Sequence, residues 1–137
     1  MNLTSYKRLC GRTPLVKIRR GFYAKLETYN PTGSVKDRMI SYVVGKAIDA
    51  GEITKTTVLC EATSGNTGIA LSAVAASLGL DCLIFMPVNM SEERKQMMRA
   101  YLKYRETVLN NPKMSIWFDH EKKICFGQEQ TWLSVGS

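Results

Sequence analysis

Apolar and polar positions change their spacing in blocks along this chain, and each block ends at a glycine or proline. Residues 14–18 form a short apolar-rich run after a Gly11-Arg12-Thr13 turn, which predicts a strand. Arg19-Arg20-Gly21 makes a turn. Residues 22–27 alternate Phe22, Ala24 and Leu26 against Tyr23, Lys25 and Glu27, the pattern of a half-buried strand. From residue 35 to 50 the period becomes helical: Val35, Met39, Tyr42, Val43, Lys46 and Ala47 define a mostly apolar stripe. Gly51 follows, where a helix end favours a left-handed residue. Residues 58–60 read as a short apolar strand. Residues 69–78 read as a helix of small apolar residues, apolar all round and so expected to be covered all round. Gly79 closes it. Residues 82–86 are continuously apolar, which suits a parallel strand buried on both faces. Ser91, followed by Glu92 and Glu93, predicts the start of a helix carrying Met97, Met98 and Tyr101.

Residues 22–101 therefore alternate strand, helix, strand, helix, strand, helix. Such alternation predicts an α/β fold, three-layered, with a mainly parallel sheet. Ligands in these folds bind at the carboxyl ends of strands, where helix N-termini gather. Two unusual stretches, residues 30–36 and 63–68, lie at strand-to-helix junctions and are expected to face one crevice.

Composition narrows the classes. The 137 residues suffice for one domain with a core, and 45% are hydrophobic, as in globular proteins. No apolar run reaches membrane-spanning length, and the first ten residues lack a signal peptide's apolar centre. A cytoplasmic location is the expectation. The four cysteines, Cys10, Cys60, Cys82 and Cys125, are widely spaced, and the one histidine is His120. That argues against a zinc site, and no metal is expected. Cys60 and Cys82 lie in apolar runs and read as reduced core residues. The net charge of +7 suits an anionic cofactor or substrate, or nucleic acid. The basic residues between Lys7 and Lys36 are spread rather than clustered, which disfavours nucleic acid.

The chemistry concentrates in the two junctions. In Asn30-Pro31-Thr32-Gly33-Ser34-Val35-Lys36-Asp37-Arg38 a turn runs directly into a helix, with Lys36 at its start. The positive end of a helix dipole disfavours an ammonium, which suits a nucleophilic or cofactor-bearing lysine. The competing interpretation is a solvated first turn carrying ordinary charges. Thr63-Ser64-Gly65-Asn66-Thr67-Gly68 offers hydroxyls, an amide and free backbone N–H groups at a helix N-terminus, an arrangement for a carboxylate or phosphate. It matches neither a phosphate-binding P-loop nor a dinucleotide-binding fingerprint.

Together these stretches resemble the cysteine synthase (O-acetylserine sulfhydrylase) family of fold-type II pyridoxal-phosphate enzymes. Supporting stretches are Gly11-Arg12-Thr13-Pro14-Leu15-Val16, Tyr23-Ala24-Lys25-Leu26-Glu27, Glu61-Ala62 and Met86-Pro87-Val88-Asn89-Met90-Ser91. Some of these lean towards the B-type enzymes. Cystathionine β-synthase shares much of the pattern. The resemblance covers about residues 9–101 and implies the N-terminal part of that fold. It implies pyridoxal 5′-phosphate as cofactor, carried by Lys36, which would also remove the substrate α-proton. Asn66 would bind the cofactor ring's oxygen. Thr63, Ser64, Gly65 and Thr67 would grip the amino-acid carboxylate. The implied reaction is β-replacement: acetate leaves O-acetylserine and sulfide (or thiosulfate) adds, giving L-cysteine. The partners implied are these small molecules, not nucleic acid or membrane, and the family is homodimeric. Asp37 and Arg38 read as structural, as a local ion pair.

The family is much longer, and its phosphate-binding glycine-rich loop has no counterpart here, since only Gly127 and Gly136 follow Gly79. Composition also breaks at Tyr101: Trp117, Trp132 and His120 all lie beyond it, and residues 1–100 contain neither tryptophan nor histidine. Two segments are expected, a family-like residues 1–101 and a divergent residues 102–137, the latter from a frameshift or alternative 3′ end. Such a truncated chain would leave the small-residue helix uncovered and a sheet edge unpaired, and would be a weak catalyst. A non-catalytic binding remnant of the fold and a basic nucleic-acid binder are the competing classes.

Overall fold

The computed structural model describes residues 3–63, 65–86, 91–109 and 132–134. Helix α1 (Thr4–Leu9) leads into an antiparallel hairpin, β1 (Leu15–Arg19) and β2 (Phe22–Lys25). A 3-10 turn at Glu27–Tyr29 precedes α2 (Lys36–Asp49). There follow β3 (Val58–Ala62), α3 (Asn66–Leu78), β4 (Asp81–Phe85), α4 (Glu92–Leu109) and β5 (Trp132–Ser134). The second sheet has the order β4-β3-β5, and both pairings are parallel. The fold is α/β with a parallel sheet, as the alternation of elements anticipated.

Three details depart from the sequence pattern. First, β2 pairs with β1 through the tight turn at Gly21 and stays out of the parallel sheet. Among the described residues, the β3-α3-β4 unit and the return to β5 build that sheet. A local antiparallel partner across a two-residue turn costs far less chain entropy than a distant one. Secondly, the hairpin is not half-buried: Leu15, Ile18, Phe22 and Tyr23 are all exposed. The Arg19 guanidinium instead lies 4.1 Å from the Phe22 ring centroid.

Thirdly, the buried face of α2 is rotated from the apolar stripe. Asp37, Ile40, Ser41, Val44, Gly45 and Ala47 are buried, whereas Val35 and Tyr42 are exposed and Lys46 reaches over the Tyr42 ring. Counting apolar residues missed this face because half of it is polar or glycine. Those polar groups are satisfied internally, so they can be buried without penalty.

The core joins α2, α3, β3, β4 and α4. Ile40, Val44, Leu59, Leu71, Val74, Leu80, Ile84 and Met98 are almost completely buried. Helix α3 is buried from Gly68 to Ala75 and packs against α2 and α4. It therefore has the cover that its all-apolar sequence demands. Truncation is expected to leave a sheet edge unpaired; β3 has partners on both edges, β4 and β5, with Leu59 opposite Leu133 on the β5 side. Gly51 and Gly79 end α2 and α3 in left-handed backbone (φ 77° and 69°), as their positions suggested.

Candidate active site

The lysine turn is built by side-chain bonds. Gly33 N donates to Asn30 O at 2.8 Å, closing a tight turn, and Gly33 itself takes φ 81°. Ser34 Oγ then accepts from Lys36 N at 3.2 Å and satisfies one orphan donor of α2. Lys36 is the first residue of α2 and is exposed, while Ser34 and Asp37 on either side of it are buried.

Two carboxylates hold this turn. Asp37 is fully buried, accepts from Tyr6 Oη at 2.6 Å through Oδ1, and accepts from Thr32 N and Oγ1 at 3.0 and 2.9 Å through Oδ2. Burial, reinforced by the bond to Asp37, pushes the Tyr6 phenol well above its ordinary pKa. Glu27 takes four bonds. Its Oε2 accepts from Arg38 Nε and from Asn30 Nδ2, both at 2.7 Å. Its Oε1 accepts from Arg38 Nη2 and Thr13 Oγ1, both at 2.9 Å. These donors, the Arg38 bond foremost, lower the Glu27 carboxyl from 4.5 to about 2. Asp37 and Arg38 are thus structural, as expected, but not as a pair. Each has its own partner, because consecutive helical residues point about 100° apart.

The second junction is built from backbone. Thr63 N donates to Phe85 O at 2.9 Å, which ties the end of β3 to β4. Gly65 N donates to Thr63 Oγ1 at 3.3 Å. Gly65 stands at the start of α3 with no side-chain cap and no acidic residue in the first turn. Asn66, exposed, and Thr67 are the first helical residues. The Arg94 guanidinium carbon lies 4.0 Å from where a β-carbon on Gly65 would stand. An uncapped helix N-terminus without acids, beside a guanidinium, favours an anion. Gly68 is required by space: a β-carbon there would stand 2.7 Å from Thr63 Cγ2 and 2.9 Å from Met98 Cε.

The fold thus brings Thr63, Gly65, Asn66 and Thr67 together at one helix terminus. Ser64 lies outside the described residues. No hydrogen bond among the described residues links Lys36 to that loop; α2 and α3 instead meet through their packed faces. The sequence pattern missed Tyr6, Thr13 and Glu27, whose partners are distant in the chain. It also missed Glu61, buried in β3 with Oε2 unpartnered among the described residues. Burial raises the Glu61 carboxyl above its ordinary pKa, against the Ala62 N–H, which works the other way.

An exposed primary amine at one helix start and an anion-favouring terminus at another fit a carbonyl cofactor and a carboxylate substrate. Comparison with known proteins gives the family. The family profile described as "Pyridoxal-phosphate dependent enzyme" matches residues 6–111. The chain belongs to this family of pyridoxal-phosphate dependent enzymes. Cysteine synthase B of Salmonella typhimurium is 46% identical over 106 residues, covering 72% of this chain and 35% of that protein. The O-acetylserine dependent cystathionine beta-synthase of Bacillus subtilis is 38% identical over 105 residues, covering 72% of this chain and 34% of that protein. The crystal structure of cysteine synthase from Entamoeba histolytica superposes with a TM-score of 0.69 at 27% identity, over 95% of this chain and 42% of that one. The chain therefore spans about a third of the length of the curated relatives it matches.

Proposed function

We propose that this chain carries the lysine and substrate-carboxylate half of a pyridoxal-phosphate β-replacement site forming L-cysteine from O-acetylserine and sulfide (or thiosulfate). The supporting observation is the pairing of an exposed Lys36 at the start of α2 with the uncapped, glycine-built start of α3. When bound, the cofactor supplies an electron sink for the substrate carbanion. Lys36 would hold the cofactor and would take the α-proton at its Nζ. The Asn66 amide would donate to the cofactor's ring oxygen. Thr63, Ser64, Gly65 and Thr67 hold the substrate carboxylate with hydroxyls and backbone N–H groups, fixing the Cα–H bond towards the lysine. The substrate's Cβ–O bond would break with acetate carrying off the electron pair, and the sulfur of sulfide (or thiosulfate) would form the new Cβ–S bond.

A cystathionine β-synthase-like reaction is the second reading, favoured by the Bacillus subtilis relative, whose name carries the same O-acetylserine dependence. Residues 1–101 carry the family pattern in this proposal, and residues 102–137 are the divergent segment. The described cysteines are free, which accords with a cytoplasmic location, and no helix among the described residues is long and apolar enough to cross a membrane.

Incubation with pyridoxal 5′-phosphate, borohydride reduction and peptide mass mapping test the assignment. Label concentrated on Lys36, and lost in K36A, is the expected result. Label spread evenly over Lys25, Lys36 and Lys46 overturns it.

A further inference from the structure

Lys36 is an exposed residue of a turn whose two ends bind a single atom. Glu27 Oε2 accepts from Asn30 Nδ2 and Arg38 Nε, both at 2.7 Å, one residue lying before the lysine and one after it. The same carboxylate reaches Thr13 through Oε1, and Thr13 Oγ1 also receives Arg38 Nη2 at 3.0 Å. Asn30 is held on its other side by Gly11 N, which donates to its Oδ1 at 2.9 Å. Gly11 takes φ 77°, and a β-carbon there would stand 2.8 Å from Arg38 Nη1, so the guanidinium needs a glycine beside it. Four separate stretches of chain, at residues 11–13, 27, 30 and 38, converge on this cluster. None of its side chains reaches Lys36 itself.

We propose that Glu27 is a positioning residue for Lys36: by clamping both ends of the 30–38 turn it fixes where the lysine amine is presented. This rests on the reading of Lys36 as the cofactor lysine. The physical basis is entropic. A lysine on a free turn samples many backbone placements, whereas one on a clamped turn retains only its side-chain freedom. The arrangement is directional as well. A bidentate guanidinium–carboxylate pair fixes the plane of both groups, which a single ammonium contact does not.

The test compares wild type with E27Q, E27D and R38K in the pyridoxal-phosphate and borohydride experiment. The readout is the ratio of label on Lys36 to label on Lys25 and Lys46, measured alongside the thermal midpoint. E27Q keeps the shape but loses the charge, and is expected to lower the ratio about tenfold. R38K is expected to act similarly. E27D retains the carboxylate and is expected to recover part of the ratio. A general loss of folding would lower the ratio and the melting midpoint together; a ratio that falls only where the midpoint falls overturns the positioning role, whereas a lowered ratio at an unchanged midpoint supports it. Selectivity for Lys36 that is equal in wild type and E27Q also overturns it, while leaving the lysine assignment standing. Indiscriminate labelling of wild type overturns both.

Discussion

The two halves of the candidate site are constructed in opposite ways. The lysine turn is held by side chains: two carboxylates, Asp37 and Glu27, collect seven hydrogen bonds between them from residues as distant as Tyr6 and Thr13. The anion loop is held by close approach of small groups. Gly65 begins α3 without a cap, and Gly68 sits where a methyl group would overlap Thr63 and Met98. Lys36 is exposed and is not anchored by its own burial; its neighbours are anchored instead. The start of α3 carries no side-chain cap among the described residues, and its shape comes from packing beneath it.

This contrast predicts separable failures. The largest effect is expected for D37A, which leaves the Tyr6 hydroxyl and both Thr32 donors without their acceptor in a buried place. A loss of about 2–4 kcal/mol is expected in chemical denaturation. Amide exchange should accelerate in residues 30–36 and remain slow in α3; equal acceleration in both would break the distinction. G68A is the converse change. The helix propensity gained, about 1 kcal/mol, is outweighed by overlap with Thr63, a stiff β-branched neighbour, for a net loss of about 1–2 kcal/mol. The exchange change should then be confined to residues 63–70. A neutral or stabilising G68A would show that the loop is not set by packing.

The smallest effect is expected at Glu61. Its folded-state pKa is raised by burial, so its contribution is fully present below the ordinary carboxylate pKa and is lost as pH rises through the folded value. E61Q removes this dependence, and is expected to stabilise the protein by about 1 kcal/mol at pH 7 with little change at pH 4. Denaturation midpoints at the two pH values measure it. A destabilising E61Q at pH 7 would mean that the Glu61 carboxylate is better satisfied than its unpartnered Oε2 indicates.

Legibility in the sequence followed the range of the interactions. The helices α2 and α3, their glycine ends and strands β3 and β4 were readable because periodicity and terminal residues are local. The places of both candidate motifs were readable because each is contiguous: Lys36 opens α2 as expected, and α3 starts at Asn66, a few residues before the apolar run suggested. What was not readable depends on partners far along the chain. The buried face of α2 contains Asp37 and Ser41, which no hydrophobicity count assigns inward. The pairing of β2 with β1 rather than with the parallel sheet, and the pairing of β5 with β3, are choices between competing edges.

By itself, then, the sequence determined the α/β class and the family membership, and it put forward the lysine and the anion loop as candidates, since these are written in local periodicity and contiguous motifs. Only the tertiary structure decided that Asp37 and Arg38 serve different partners, that Glu27 closes the lysine turn, that Glu61 is buried with an oxygen unpartnered among the described residues, and that Gly68 is a packing requirement. Each of these depends on which distant atoms come within about 3 Å, the range over which a hydrogen bond or a methyl contact acts.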